Sequence, residues 1–464
     1  MAVDLKSSKW DVQSFLKWFC TLGIPLLILL IPVNETFTGH IKLFLAITVA
    51  AIMTFAFENV DQTLVAILLP GLYIICKLAP SSVVLSPWTQ NIPWMVLGGF
   101  LLADTLNDIG LLKRIAYKCI IWTGCTYNGI LYGLVIAGLL LNFMVPGKLA
   151  LPFAALSYGI CTALKLGRSK ESAGIMLAAA MGALMPPQLF AFNPTFFILV
   201  NGGLEATGPL ELSWWGFFFN NAVGVLFLLF MTFICSKFFK PSVPISGKAY
   251  FQEEYKELGA MSSREKKAIL VVLLLFLALI TNKWHGVDAG WCFALIPLIM
   301  FLPGVNIGTK ETIAKVNYRF IIFVASCMSI GSTAGALGLG KLVANMIIPI
   351  LEGHGTTFVL MFVWALCVLL NFLLTPLAVM SAFALPLGQI AVDLGINPLA
   401  MYFTMTNGLE QLLMPYEVAL YLIFYSFGLI ELKYFTKFLG LKMIFNGLFV
   451  CLILIPYWNL VGFL

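Results

Sequence analysis

The chain has 464 residues, of which 61% are hydrophobic and only 10% charged, with a mean hydropathy of +0.98 and a formal charge of +6. Soluble domains carry about 25% charged residues, so an ordinary soluble domain is excluded and a membrane protein is left. The positive balance does not mark a nucleic-acid surface, because Lys and Arg sit in short clusters between apolar runs rather than on one face.

In chain order, residues 1–18 are polar and mixed in charge, and read as a cytoplasmic segment without a cleavable signal. Residues 19–33 form the first span. Further apolar runs approach the roughly 20 residues that cross a bilayer. Lipid offers the backbone no water, so these runs are expected to be helices. The stretch "AILVVLLLFLALI" (268–280) lacks the alternation of a membrane β-strand. Residues 92–112, opening "IPWMVLGGFLLADTLNDIG", carry two Asp and two adjacent Gly and are expected to be only partly inserted. There Asp104 and Asp108 share a helical face, and Lys113 and Arg114 follow as compensating charges at an interfacial helix end. Residues 236–267 form one long polar segment, read as a cytoplasmic linker with a surface helix. It divides a first membrane half (19–235) from a second (268–464). Basic residues cluster at 6–17, 113–118, 165–170, 237–267, 310–319 and 433–442, which hold 22 of the 27 Lys and Arg. The positive-inside bias then places the N-terminus in the cytoplasm and, after a last span at 443–463, the C-terminus outside. About 11 crossings are expected. The ten Cys are scattered with no CxxC pair and read as small packing residues. The three His form no metal-spaced set.

The halves echo each other. LLNF (140–143), ALP (150–152), LG (166–167) and LMP (184–186) recur in order as LLNF (369–372), ALP (384–386), LG (394–395) and LMP (413–415). Chance in a Leu-rich chain is the competing explanation. Interrupted segments at matching places in two halves point to the binding site of a secondary transporter. The interruptions are read as re-entrant hairpins, near 142–165 and 372–393, or as unwound turns, meeting near the midplane of an all-α polytopic protein with an inverted repeat.

"NIPWMVLGGFLLADTLNDIGLLKRIAYK" together with "ILYGLVIAGLLLNFMVP" (130–146) resembles the divalent anion:sodium symporter family of the ion transporter superfamily. The resemblance runs from about residue 45 to the C-terminus. It implies an elevator-type homodimer in the plasma (inner) membrane that carries di- or tricarboxylates or sulfate, coupled to sodium in some members and exchanging anions in others. It also implies a Ser-Asn-Thr signature at each hairpin tip. Those places hold Gly147, Lys148 and Leu149 in the first half, and fall near Thr375, Pro376 and Leu377 in the second. Where the family has Gly-Thr-Pro turns, the LMP anchors put Gln188 and Glu417. These departures argue against ordinary sodium ligation, since hard cations need several oxygens.

Candidate substrate contacts are Asn142, Gly147, Lys148, Asn193, Thr195, Asn371, Thr375 and Asn407; Thr404 belongs to the same polar set. Candidate ion-coupling groups are Gln188, Glu410 and Glu417. A charge at membrane depth costs roughly 2.5–3.5 kcal/mol on insertion scales and usually faces a cavity. Lys148 is therefore read either as the cation for an anionic substrate or as a side chain that snorkels to the surface. Glu417 is read as a coupling acid, as a structural partner of Lys148, or as a protonated bystander. Asn142 and Asn371 are read as helix glue or as ligand contacts. Pro146, Pro194, Pro376 and Pro415 mark turns. The expected activity is secondary-active transport of a small organic anion without a cofactor, with proton or sodium as candidate coupling ion. The alternative is a proton-coupled or ion-independent carrier or exchanger of a zwitterionic or neutral metabolite. A membrane enzyme would need His, Cys or acids clustered at one depth, and none is visible.

Overall fold

A computed structural model describes residues 12–464 apart from 58–59, 145–146, 191–193, 211–213 and 373–375. Every regular element among the described residues is a helix, with an isolated β-bridge between Thr126 and Ser246 as the sole extended pairing among them. The principal helices are α1 (Val12–Leu30), α2 (Gly39–Phe57), α3 (Gln62–Ile75), α4 (Ile92–Asp108), α5 (Leu111–Trp122), α6 (Tyr127–Met144), α7 (Ala150–Ala163), α8 (Lys170–Leu184), α9 (Pro194–Gly202), α10 (Trp214–Asn221) and α11 (Gly224–Phe238). The polar segment carries α12 (Lys248–Glu257). Then come α13 (Ser263–Ile280), α14 (Ala289–Leu295), α15 (Tyr318–Ala336), α16 (Leu339–Leu351), α17 (Thr356–Asn371), α18 (Pro376–Asp393), α19 (Pro398–Leu409), α20 (Ala419–Ser426), α21 (Leu432–Phe449) and α22 (Ile455–Leu460).

The sequence sets these boundaries with familiar devices. Ser169 accepts from the Ser172 amide and opens α8; Ser262 and Glu265 form the capping box of α13. Pro186 and Pro187 end α8 in a 3-10 turn, and Pro415 opens the matching 3-10 turn Pro415–Glu417 after α19. Among the described residues, four stretches are long and apolar enough to cross a membrane: Tyr127–Met144, Lys170–Leu189, Tyr318–Ala336 and Leu432–Leu460. The last joins α21 to α22 through a π-helical turn at Val450–Leu454. Two bent pairs add to them, α4 with α5 at 66° and α10 with α11 at 46°. The first bend is the segment whose Asp and Gly content predicts partial insertion.

In each half, three consecutive helices pack alike. α8 lies against both α6 and α7, and α19 lies against both α17 and α18. Between α6 and α8 the backbones nearly touch, because a Cβ at Gly138 would run into the Gly182 carbonyl. Between α17 and α19, a Cβ at Gly408 would stand 2.6 Å from the Trp364 carbonyl. Apolar helices in lipid gain nothing from expelling water between them, so such close packing is what joins them.

The polar segment is docked on the bundle. Arg114 Nε meets Glu265 Oε1 at 2.6 Å, and its other nitrogens donate to the carbonyls of Gly259 and Leu258, both at 2.9 Å. Lys113 donates to Glu254 at 3.0 Å. Both basic residues thus bind the polar segment rather than compensating Asp104 and Asp108. Asp108 instead receives Thr312 at 2.9 Å and Lys315 at 3.2 Å, from the second half.

Candidate functional site

The two LLNF asparagines make the same contact. Asn142 Nδ2 donates to the carbonyl of Gly182, 40 residues on, at 3.1 Å. Asn371 Nδ2 donates to the carbonyl of Gln411, also 40 residues on, at 2.8 Å. The first ties the end of α6 to α8, and the second ties the end of α17 to the segment that follows α19. Their oxygens differ. Asn142 Oδ1 accepts from the Gly147 amide at 3.0 Å, five residues on, where Gly147 sits at φ +77°. The residue five beyond Asn371 is Pro376, which has no N–H, and buried Asn371 Oδ1 has no partner among the described residues.

The broken ends of α8 and α19 meet across the halves. Gln188, from the 3-10 turn after α8, faces Glu410 at the end of α19. With Asn221, Asn407, Lys442 and Asn446 they line a cavity of about 30 Å³, room for about two waters. Lys442 is 2% exposed. Its ammonium donates to the Glu410 backbone carbonyl at 3.0 Å and to Gln411 Oε1 at 3.3 Å. Gln411 Nε2 donates to the Asn407 carbonyl at 2.7 Å, which fixes the amide so that its oxygen faces Lys442. Asn446, one turn beyond Lys442, donates to Asn407 Oδ1 at 3.3 Å and accepts from Trp364 Nε1 at 2.9 Å. Gln188 Nε2 is buried without a hydrogen-bond partner among the described residues. The cavity therefore combines an ammonium, a carboxyl and an amide that faces the carboxyl inside an apolar bundle.

Of the residues expected from sequence, Gln188, Asn407 and Glu410 meet here. Asn142 belongs to the first tip, and its hydrogen-bonding groups are taken by backbone. Lys148 is half-buried, with Nζ 2.8 Å from the centre of the Phe100 ring and Asp104 as its electrostatic partner, both on α4. Glu417 is 5% exposed and accepts from the amides of Met414 at 2.9 Å and Leu413 at 3.2 Å. The described contacts of Lys148 and Glu417 do not join the two. Thr404 returns its hydroxyl to the Ala400 carbonyl of its own helix. Asn193 and Thr375 lie outside the described residues; Thr195 falls in the first turn of α9.

Lys442, Asn446, Gln411 and Asn221 escaped the sequence reading. Lys442 ends the basic cluster 433–442, so it counted there as a loop charge, whereas it lies inside α21 and is buried. The signal was present in "LGLKMIFNGLF", a Lys and an Asn four apart on one face of an apolar helix.

Sodium fits poorly at either place described. At the first tip the Gly147 amide is already engaged and Lys148 stands next in the chain. At the end of α19 the available oxygens already hold an ammonium. Among the described residues no group of three or more His, Cys, Asp or Glu could hold a metal ion.

Apolar broken helices around a buried polar cluster define a multi-pass helical membrane protein. The chain belongs to the family described as sodium:sulfate symporter transmembrane region, whose profile matches residues 12–464. This is a family of membrane transporters, not of enzymes. Inner membrane protein YbhI of Escherichia coli (strain K12) is 22% identical over 421 residues, covering 85% of this chain and 87% of YbhI. Dicarboxylate transporter 1, chloroplastic, of Arabidopsis thaliana is 23% identical over 372 residues, or 76% of this chain, and its Spinacia oleracea counterpart is 22% identical. The chain spans 65% and 64% of those plant proteins' own lengths. The solved structure of Neisseria gonorrhoeae MtrF, of a class of antimetabolite efflux pumps, covers 92% of this chain and 97% of its own with a TM-score of 0.50. At 13% identity that likeness is one of fold alone.

Proposed function

We propose that this protein is a secondary-active carrier of a small organic anion of the di- or tricarboxylate kind, working by alternating access of the elevator type as a homodimer in the plasma (inner) membrane. The observation that carries this reading is the buried Lys442 ammonium beside the Gln188 amide, at the point where the two halves' broken helices meet. A cation and an amide donor inside an apolar bundle are what an anion needs when it leaves water. The names of the plant relatives agree with a dicarboxylate. The cavity admits waters rather than a dicarboxylate, so in this scheme binding goes with movement of the segments after α6 and α17, the first of which Asn142 holds through Gly147. In this scheme Lys148 draws the anion toward the first tip, and Glu410 with Gln188 forms the coupling side.

Glu410 in the same cavity favours a second reading, a carrier of zwitterions, because both charge signs then have a counterpart. One assay decides between them. Purified protein in proteoliposomes is offered radiolabelled succinate or a neutral amino acid, with sodium, proton and counter-substrate gradients imposed separately. Succinate accumulation supports the first reading. Amino-acid accumulation without succinate supports the second, and no flux of either refutes both.

A further inference from the structure

We propose that the Lys442 ammonium is a tethered cation, filling from within the protein the position at which a broken-helix transporter coordinates sodium, so that this chain runs without that ion. The inference rests on the secondary-transporter reading above, but its central test does not need transport.

Three observations carry it. First, the position is one built for a cation. α19 ends at Leu409, and the last carbonyls of a helix have no intrahelical donors. They also form the negative end of its dipole. Half-helix ends of this kind coordinate sodium in transporters. Second, Lys442 uses the ligands a metal would use, a backbone carbonyl and a side-chain amide oxygen, while the Glu410 carboxyl interacts with it electrostatically. Every atom it bonds is an oxygen acceptor, so the nitrogen acts as donor to both. Third, the residues around it hold that arrangement. Gln411 is oriented by Asn407, and Asn446 is held between Asn407 and Trp364 one turn along α21. A sodium ion placed there beside the ammonium would meet a like charge and find its oxygens taken.

The place filled by Lys442 belongs to the second half alone. In the first half the matching helix end is followed by Pro186, Pro187 and Gln188, and Gln188 faces the Glu410 carboxyl. One half thus carries a built-in cation and the other an amide turned toward the acid beside it.

The test compares wild type with Lys442→Ala, which removes the ammonium and leaves its oxygens. The purified full chain in detergent is melted in sodium chloride and in choline chloride at equal ionic strength. Wild type should melt at the same temperature in both. Lys442→Ala should melt a few degrees higher in sodium, rising with the logarithm of its concentration. If the variant is too unstable to melt, its folded yield should be higher when it is purified in sodium. In proteoliposomes, succinate uptake should change from sodium-indifferent in wild type to at least tenfold sodium-stimulated in the variant. Sodium-specific stabilisation of wild type overturns the proposal. So does a variant that gains nothing in sodium, whether it folds in both media or in neither. A wild type that carries no succinate refutes the carrier reading and leaves the melting comparison to decide this one.

Discussion

Asn142 and Asn371 occupy corresponding places yet differ in what depends on them. Among the described residues, Asn142 holds three carbonyls and one amide, and Asn371 holds one carbonyl and has an oxygen without a partner. A hydrogen bond lost with its partner left buried costs more than one removed cleanly. Asn142→Leu should therefore destabilise the protein by about 1–2 kcal/mol. Asn371→Leu should cost less than half as much, because it also removes an unsatisfied acceptor. Thermal unfolding in one detergent measures both, and equal losses would show that the unpartnered oxygen is satisfied in solution. The Gly147 amide is held by Asn142, while Asn371 Oδ1 has no partner among the described residues.

Among the elements, the polar segment after α11 is bound to the bundle by charge. Arg114 and Glu265 have side chains 8% and 4% exposed, and removing one partner of a buried pair costs about 3–5 kcal/mol. Arg114→Met should release the segment, seen as faster hydrogen exchange across 248–259 with α6 and α8 unchanged. Unchanged exchange would mean that the pair is not what docks it. Glu254 adds a pH signature. Its hydrogen bond from Lys113, and next that from Tyr117, hold its carboxyl below the usual carboxylate range against the opposing effect of burial. A depressed acid contributes stability above its unfolded pKa and loses it as pH falls through the folded one. Docking of α12 should thus be constant from neutral to mildly acidic pH and loosen only below about pH 4. Protection, after correction for the base-catalysed intrinsic rate, that changes between pH 8 and pH 6 would contradict this.

For the whole molecule, the basic clusters predict an orientation in the membrane. Moving Lys442 into the interior takes one charge from the last cluster and leaves Lys433 and Lys437 there. The bias survives that loss because the polar segment alone holds seven of the 27 Lys and Arg. Tags at residue 2 and near residue 250 should report the cytoplasm, and a tag after Leu464 the exterior. A cytoplasmic C-terminus would require an even number of crossings and would undo the assignment. The α4–α5 bend of 66° bears on the same count, since a re-entrant pair adds two membrane helices without adding a crossing.

Composition and run length by themselves determined that the chain is helical and membrane-embedded, because lipid leaves an apolar backbone no other way to satisfy its hydrogen bonds. The repeated LMP words also mark the Pro-led 3-10 turns that follow α8 and α19, since Pro acts locally and leaves its mark in the sequence. Gln188 and Glu410 were legible as polar residues in apolar surroundings. That they face each other was not, because 222 positions separate them and only packing brings the broken ends of α8 and α19 together. Lys442 was hidden for the same reason. A lysine near the end of a basic cluster reads as a surface charge, and whether its helix turns that face to water or to Glu410 is settled by neighbouring helices, not by its own sequence. Glu417 shows the converse, a lone acid in an apolar run whose carboxylate the fold turns back to cap the amides of Leu413 and Met414.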